Sequence, residues 1–258
     1  MMQPLDSPSL ALIHGWGLGR AAWQPIVTAV SACCNVHHVD LPGYGDAAPD
    51  PCSFEDTARR IVDSLPAGTI LCGWSLGALL ALEMASQRPE RIGGLVLVGA
   101  STSFVQQDDW PHAQPPTLLD GFAAAVRNHP AQTLQRFVAL LNQGDTRARA
   151  NTRAQQQALA ESPTPDTDSL IQGLDWLRKT ELRQKVATIT IPTLLIHGES
   201  DPLMPLSAAR WLADHLPQAR LEVFHGAAHA PFLNSPERFA ELLIEYCHAA
   251  PAHQATRP

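Results

Sequence analysis

Thr69-Ile-Leu-Cys-Gly-Trp-Ser-Leu-Gly-Ala-Leu-Leu-Ala-Leu-Glu83 joins an apolar β-type run to a helix-forming run at one serine flanked by glycines. The pattern predicts a strand over 69–72, a turn in Gly73-Trp-Ser-Leu-Gly77 and a helix over 78–87. Glycines on either side let the backbone pass from strand to helix with almost no room. That would hold the Ser75 hydroxyl in a strained, exposed position. Ser75 therefore reads as a nucleophile, and the following helix would aim its N-terminal amides at developing negative charge, the amide of Leu76 first. The competing reading is a glycine-rich turn with an incidental serine, so the surrounding chain has to decide.

Working outward, Ser9-Leu-Ala-Leu-Ile13 is a short apolar run ending at His14-Gly-Trp-Gly17, where two glycines permit a sharp bend after a strand. That bend is either an ordinary strand-to-helix turn or the source of a second oxyanion donor, the Trp16 amide, with the indole lining a pocket. Asn35-Val-His-His-Val39 reads as the next strand, and Asp40-Leu-Pro-Gly-Tyr-Gly45 as a structural loop of turn-forming residues. Ser53 caps a helix with early acids. Further strand signals fall near residues 94, 193 and 220, making six in all. Strands alternating with helices imply parallel pairing with right-handed crossovers, an α/β protein with a mostly parallel sheet of about six strands and helices on both faces.

From about residue 106 the alternation stops. A proline-rich junction, Asp108-Asp-Trp-Pro-His-Ala-Gln-Pro-Pro116, is followed by helical runs at 117–128, 131–142, 145–159 and 167–178. A helical insert inside a βα repeat predicts a cap over the sheet's C-terminal edge, where α/β proteins bind ligands. The expected division is a core of residues 1–105 and 186–248, a helical cap of 106–185, and a tail of 249–258 whose lack of periodicity predicts disorder.

A chain of 258 residues with 45% hydrophobic content can bury one large core, and a net charge of -7 argues against a general nucleic-acid binder. The N-terminus lacks a basic start and a long apolar stretch, and no segment is long enough to span a bilayer, so no membrane partner and a cytoplasmic location are expected. Five cysteines, odd in number and without a C-x-x-C pair, suggest neither a disulfide framework nor a zinc ribbon.

A serine nucleophile needs a positioned imidazole, which needs a carboxylate to fix its tautomer. Of eleven histidines, His229 is preferred because it follows the last strand, at the sheet edge shared by every post-strand loop. Asp201 follows the preceding strand. Each has a plainer reading: Asp201 as an Asp-Pro turn former, His229 as a loop histidine, or His225 with His229 as a metal pair. No third ligand or H-E-x-x-H motif supports metal binding, and no metal or other cofactor is expected. The order Ser75, Asp201, His229 is that of the α/β hydrolases.

Taken together the chain resembles that superfamily and, within it, the pimeloyl-acyl-carrier-protein methyl ester esterases of biotin biosynthesis. The likeness runs from Leu10 to about Tyr246. It is carried by His14-Gly-Trp-Gly17, Asp40-Leu-Pro-Gly43, Gly73-Trp-Ser-Leu-Gly77, Arg88-Pro-Glu-Arg91, Asp109-Trp-Pro111, Arg136-Phe-Val-Ala-Leu140 and Ala227-Ala-His-Ala-Pro-Phe232. The resemblance implies an α/β-hydrolase fold with Ser75, Asp201 and His229 as triad. It implies Trp16 and Leu76 as oxyanion amides, and Phe137, Val138, Ala139, Leu140 and Leu141 as the cap segment lining the acyl channel. Arg136, Arg149 and Arg153 match cap arginines that meet the acyl-carrier protein, while one further family arginine falls on Gln132. The usual leading antiparallel hairpin has no counterpart, which would leave a sheet edge near the N-terminus partly covered by the first residues.

The expected activity is that of a serine carboxylesterase freeing the pimeloyl carboxylate from its methyl ester on the carrier protein, acting as a monomer. A broad short-chain esterase and a non-catalytic ligand receptor are the alternatives on the same fold.

Overall fold

A computed structural model describes residues 7–250. The expected cover of the sheet edge by the first six residues, and the expected disorder of the tail beyond Ala250, lie outside the described residues; Ala249 ends a helix.

The first half is a βα repeat. It runs β1 (Ser9–Ile13), α1 (Gln24–Ser31), β2 (Asn35–Val39), α2 (Phe54–Ser64), β3 (Thr69–Trp74), α3 (Leu76–Gln87) and β4 (Ile92–Val98). Four helices then intervene: α4 (Pro116–Asn128), α5 (Pro130–Leu141), α6 (Ala148–Glu161) and α7 (Thr167–Lys179). A single turn, α8 (Arg183–Val186), leads back to β5 (Thr193–Gly198), α9 (Leu206–His215), β6 (Ala219–Phe224), α10 (Pro231–Asn234) and α11 (Pro236–Ala249). The third inserted helix starts at Ala148, three residues later than its periodicity suggests, which leaves Asp145 in the preceding turn.

All five strand pairings are parallel, in the order β2-β1-β3-β4-β5-β6, as expected from six strand signals. The four inner strands are buried almost throughout. Only helices covering both faces permit that, and it explains why these runs are continuously apolar rather than alternating. β2 and β6 form the edges and carry polar side chains, including His37, His38, Arg220 and Glu222. Among the described residues no helix is long and apolar enough to cross a membrane.

The chain steps left from β1 to β2, then right from β2 across to β3 and onward. With right-handed crossovers this puts α1 on one face and α2, α3 and α9 on the other. The reversal between β1 and β3 is a topological switch point, where the post-strand loops part and leave a crevice at the C-terminal edge. Trp16 follows β1 there, and Ser75 follows β3.

Helix α3, which follows Ser75, runs through the core, with every residue from Leu76 to Ala85 buried. One of them is charged. Glu83 is 1% exposed and meets Lys185 of α8, with Nζ to both carboxylate oxygens at 2.7 and 2.8 Å, while Gln87 donates to the same carboxylate at 2.7 Å. Removing one partner of such a pair strands a buried charge, whereas removing both does not. Because the Lys185 side chain is 41% exposed, water softens the penalty. Lys185→Met should therefore destabilise by about 2 kcal/mol. Adding Glu83→Gln should recover most of that loss, as read from urea unfolding. Equal stability of Lys185→Met and wild type would make the pair ornamental.

Candidate active site

Ser75 has φ 57° and ψ -117° and, among the described residues, is the single non-glycine with positive φ. A backbone strain of ~1–3 kcal/mol is tolerable only where the surroundings impose it. Here they do. The Ser75 amide donates to Val98 O of β4 at 2.9 Å, while its carbonyl accepts from Ala78 and Leu79 at 2.9 and 3.2 Å, starting α3. A Cβ on Gly73 would lie 2.3 Å from Gly77 O, and one on Gly77 would lie 2.4 Å from Ile13 O, so both positions require glycine for close approach. The hydroxyl is strained as expected but not exposed: Ser75 is 6% accessible, because the inserted helices cover it.

Asp201 and His229 meet directly. His229 Nδ1 donates to Asp201 Oδ2 at 2.7 Å, and Asp201 Oδ1 accepts from the amides of Leu203 and Met204, each at 2.9 Å. Burial pushes the Asp201 carboxyl up, but the His229 imidazole and these donors outweigh it and hold the group below the usual carboxylate range. An ionised Asp201 fixes the His229 tautomer with the proton on Nδ1, leaving the Nε2 lone pair as a base. Nε2 is buried and without a hydrogen-bond partner. No bond joins it to Ser75 Oγ in this structure, and such catalytic contacts commonly close only when substrate is seated. His225, the other member of the possible metal pair, turns away to Glu199 at 3.2 Å.

The Trp beside Ser75 has a task that its sequence position does not announce. Trp74 Nε1 donates to His229 O at 2.8 Å, and the two rings lie 5.5 Å apart. A second unexpected histidine, His197, sits 3.4 Å from Asp201 Oδ2 and donates from Nε2 to Met204 O at 2.7 Å. Burial lowers its pKa, which keeps it neutral beside the candidate triad.

The bend after β1 is held from below. His14 Nδ1 donates to Gly15 O at 2.8 Å and Nε2 accepts from Leu41 N at 3.1 Å, while Gly17 N donates to the Tyr44 hydroxyl at 2.9 Å. The Asp40–Gly45 loop is thus structural, as expected, and the turn it supports is the one presenting Trp16. The Trp16 indole donates to Leu170 O of α7 at 2.8 Å, tying the bend to the inserted helices. Leu76 opens α3, so its amide has no acceptor within the helix.

A cavity of about 20 Å³ lies over Ser75, walled by Trp16, Phe104, Leu119, Phe122, Phe137 and Leu174 among others. Every wall side chain except Ser75 is apolar, which suits an aliphatic chain and repels charge. At this size it admits little more than a water, so a longer acyl chain must displace the side chains of α4, α5 and α7. The expectation of five consecutive lining residues is corrected: only Phe137 faces the cavity, Val138 and Leu141 are fully buried in the packed core, Leu140 is half-buried and Ala139 is exposed. Five successive helical residues sweep more than a full turn and cannot share one face. A larger groove of about 1080 Å³ between α7 and residues 49–55 contains none of the candidate residues, so the chemistry rather than the volume locates the site.

A strained serine at the switch point, an Asp–His pair after the last two strands and a helical insert above them define an α/β hydrolase, and a family model described as alpha/beta hydrolase fold matches residues 8–236. Solved structures agree on the fold. An esterase from Exiguobacterium antarcticum superposes with a TM-score of 0.84 at 22% identity, covering 94% of this chain and 92% of its own. A bromoperoxidase from Bacillus anthracis does so with 0.84 at 20% identity and the same coverage.

Within that class the chain is 38% identical to the pimeloyl-acyl-carrier-protein methyl ester esterase of Aromatoleum aromaticum, covering 93% of this chain and 98% of that one. It is 37% identical to the protein of the same name from Pectobacterium atrosepticum, covering 93% and 94%. The chain belongs to this esterase family.

The supports of the site carry a pH dependence. Burial, the dominant effect, lowers the His14 pKa to about 4, against partial compensation by Gly15 O and Asp40. Between that value and the ordinary 6.5, the unfolded chain binds a proton that the folded one refuses. Stability should therefore be full above about pH 6.5 and decline as pH falls toward 4, by up to ~3 kcal/mol from this residue, with His197 adding to the same slope. Urea unfolding from pH 4.5 to 7.5 should show a shallower slope for His14→Gln, which cannot take up the proton; identical slopes would contradict the assignment.

Proposed function

We propose that this member of the family is a serine carboxylesterase that hydrolyses the methyl ester of pimeloyl-acyl-carrier protein, releasing methanol and the pimeloyl carboxylate for biotin synthesis. The observation that carries the reading is the strained Ser75, held at the switch point beneath an apolar cover, with the Asp201–His229 pair at the same sheet edge. Ser75 Oγ attacks the ester carbonyl while His229 Nε2 takes its proton. The Trp16 and Leu76 amides receive the oxyanion. His229 then protonates the departing methoxide, and water, deprotonated by the same nitrogen, releases the acyl group from Ser75. Asp201 stays ionised and stabilises the imidazolium throughout. The helices of residues 106–185 act as the cap, with Phe137 and its aromatic neighbours gripping the acyl chain.

On this reading Ser75→Ala loses roughly 10⁴-fold or more in ester turnover while remaining folded. Steady-state assays of protein freed from host esterases check this, and turnover surviving in a folded Ser75→Ala protein would remove Ser75 from the mechanism.

Charge supports the partner. Residues 127 to 153 carry five arginines against one acid, in a chain of net charge -7. Arg147 is engaged, donating to Asn234 O at 3.0 Å. Arg136, Arg149 and Arg153 are exposed and, among the described residues, enter no ion pair. Arg136 lies on α5 and the other two lie one turn apart on α6, and Gln156 donating to Gln135 O at 3.4 Å sets the two helices side by side. A basic rim of this kind steers and orients an acidic carrier protein that delivers the ester on its prosthetic arm.

Changing Arg136, Arg149 and Arg153 together to Glu should lower kcat/KM at least tenfold for the carrier-bound ester, and the wild-type rate on that substrate should fall with added salt. Small free esters should be hydrolysed as before. Equal losses on both substrates would assign the arginines to the fold, and no loss on either would leave them a solvated surface.

A further inference from the structure

The turn between α5 and α6, which bears the only acid of the arginine-rich segment, grips the loop that carries His229. Asp145 is buried and its carboxylate spans the two. Oδ2 accepts from the amide of Ala228, the residue before His229, at 3.0 Å. Oδ1 accepts from Arg147 N at 2.7 Å, from Asn234 Nδ2 at 2.9 Å and from Asn151 Nδ2 at 3.3 Å. Around this centre the contacts repeat. His229 N donates to Leu141 O at 3.2 Å, Thr146 N donates to Gly226 O at 2.9 Å, and Asn234 Nδ2 also reaches Thr146 Oγ1 at 3.1 Å. The backbone on both sides of His229 is therefore fastened to the inserted helices as well as to the sheet. The side chain is fastened to Asp201.

We infer that Asp145 is a positioning residue for the general base: its buried carboxylate, anchored in the α5–α6 turn, sets where the His229 imidazole stands relative to Ser75. The inference rests on the triad reading above. A carboxylate suits the task because it offers two acceptor oxygens and no donor, and four donors converge on it. A neutral amide of the same shape cannot satisfy them all. In an asparagine the NH2 group would face Ala228 N, since the other orientation would confront three donors rather than one. The substitution thus releases the histidine loop while keeping the turn. A group held within about half an ångström of its productive place loses catalytic efficiency quickly when its support loosens. Substrate binding, made by the apolar cavity and Trp16, does not pass through Asp145.

The test sets Asp145→Asn beside Asn151→Ala, which removes the α6 donor to Asp145 Oδ1 without touching Ala228. With p-nitrophenyl acetate as substrate, Asp145→Asn is expected to lower kcat at least tenfold with KM within about twofold of wild type, and to slow phosphonylation of Ser75 by a fluorophosphonate in parallel. Asn151→Ala is expected to lower the melting temperature while leaving kcat unchanged. In the wild-type protein the Ala228 amide should be among the slowest of the 225–230 segment in hydrogen exchange, a readout that survives even if the variant does not fold. An Asp145→Asn enzyme with wild-type kcat, an equal kcat loss in Asn151→Ala at a matched drop in melting temperature, or rapid exchange at Ala228 would overturn the inference. Turnover persisting in Ser75→Ala would instead remove the triad reading itself, so the two failures are told apart.

Discussion

A close backbone approach beneath Ser75 governs the rest of the site. Gly73 at the end of β3, Gly77 in the first turn of α3 and Ile13 at the end of β1 pass so near one another that a single added methyl would sit well inside contact distance of a carbonyl. That packing makes the chain turn from strand to helix within one residue, and Ser75 absorbs the turn as positive φ. The strain is local, but it is secured by the sheet. β1 and β3 are neighbours, their C-terminal ends flank the switch point, and the Ser75 amide is held by β4. Relaxing the elbow would require separating strands buried on both faces, which costs far more than the strain stored.

Above this rigid edge, the inserted helices do more than cover. α7 holds the Trp16 indole through Leu170 O, the end of α5 holds His229 N through Leu141 O, and the following turn holds Ala228 through Asp145. The bend that presents Trp16 and the loop that presents His229 are thus each tied both to the core and to the insert. The same α5 carries Phe137 into the cavity and Arg136 to the surface. A displacement of α5 or α6 on docking of a partner would reach the cavity wall and the histidine loop through contacts already made.

Buried polarity in the site is nearly all in service. Asp201 is kept ionised by His229 and two amides. His14 and His197 are kept neutral by burial, with their nitrogens bonded to backbone. With both of these imidazoles neutral, neither places a second positive charge beside the Asp201–His229 pair. Such satisfied networks rigidify a site, since any rearrangement would strand a buried donor or acceptor.

The amino-acid sequence by itself determined the six parallel strands, the place of the helical insert and the strand-to-helix turn at Ser75. Each rests on short-range signals: apolar runs, helix formers and glycine spacing around one residue. It also pointed to Asp201 and His229 through their order after the last two strands, because every post-strand loop of a parallel sheet meets at one edge. Only the tertiary structure decided the supporting roles of His14, Tyr44, Trp74, His197 and Asp145. Their partners lie far away in the chain: Trp74 bonds His229 O, and Asp145 bonds Ala228 N. No local pattern distinguishes such residues from ordinary core aromatics or turn formers. The same holds for the last five residues of α5, where the family resemblance implied a continuous lining from Phe137 to Leu141 and the packed structure brings Phe137 alone of the five to the cavity. Burial of Ser75 likewise depends on how α4, α5 and α7 settle over the sheet, a long-range packing outcome that residues 69–83 cannot encode alone.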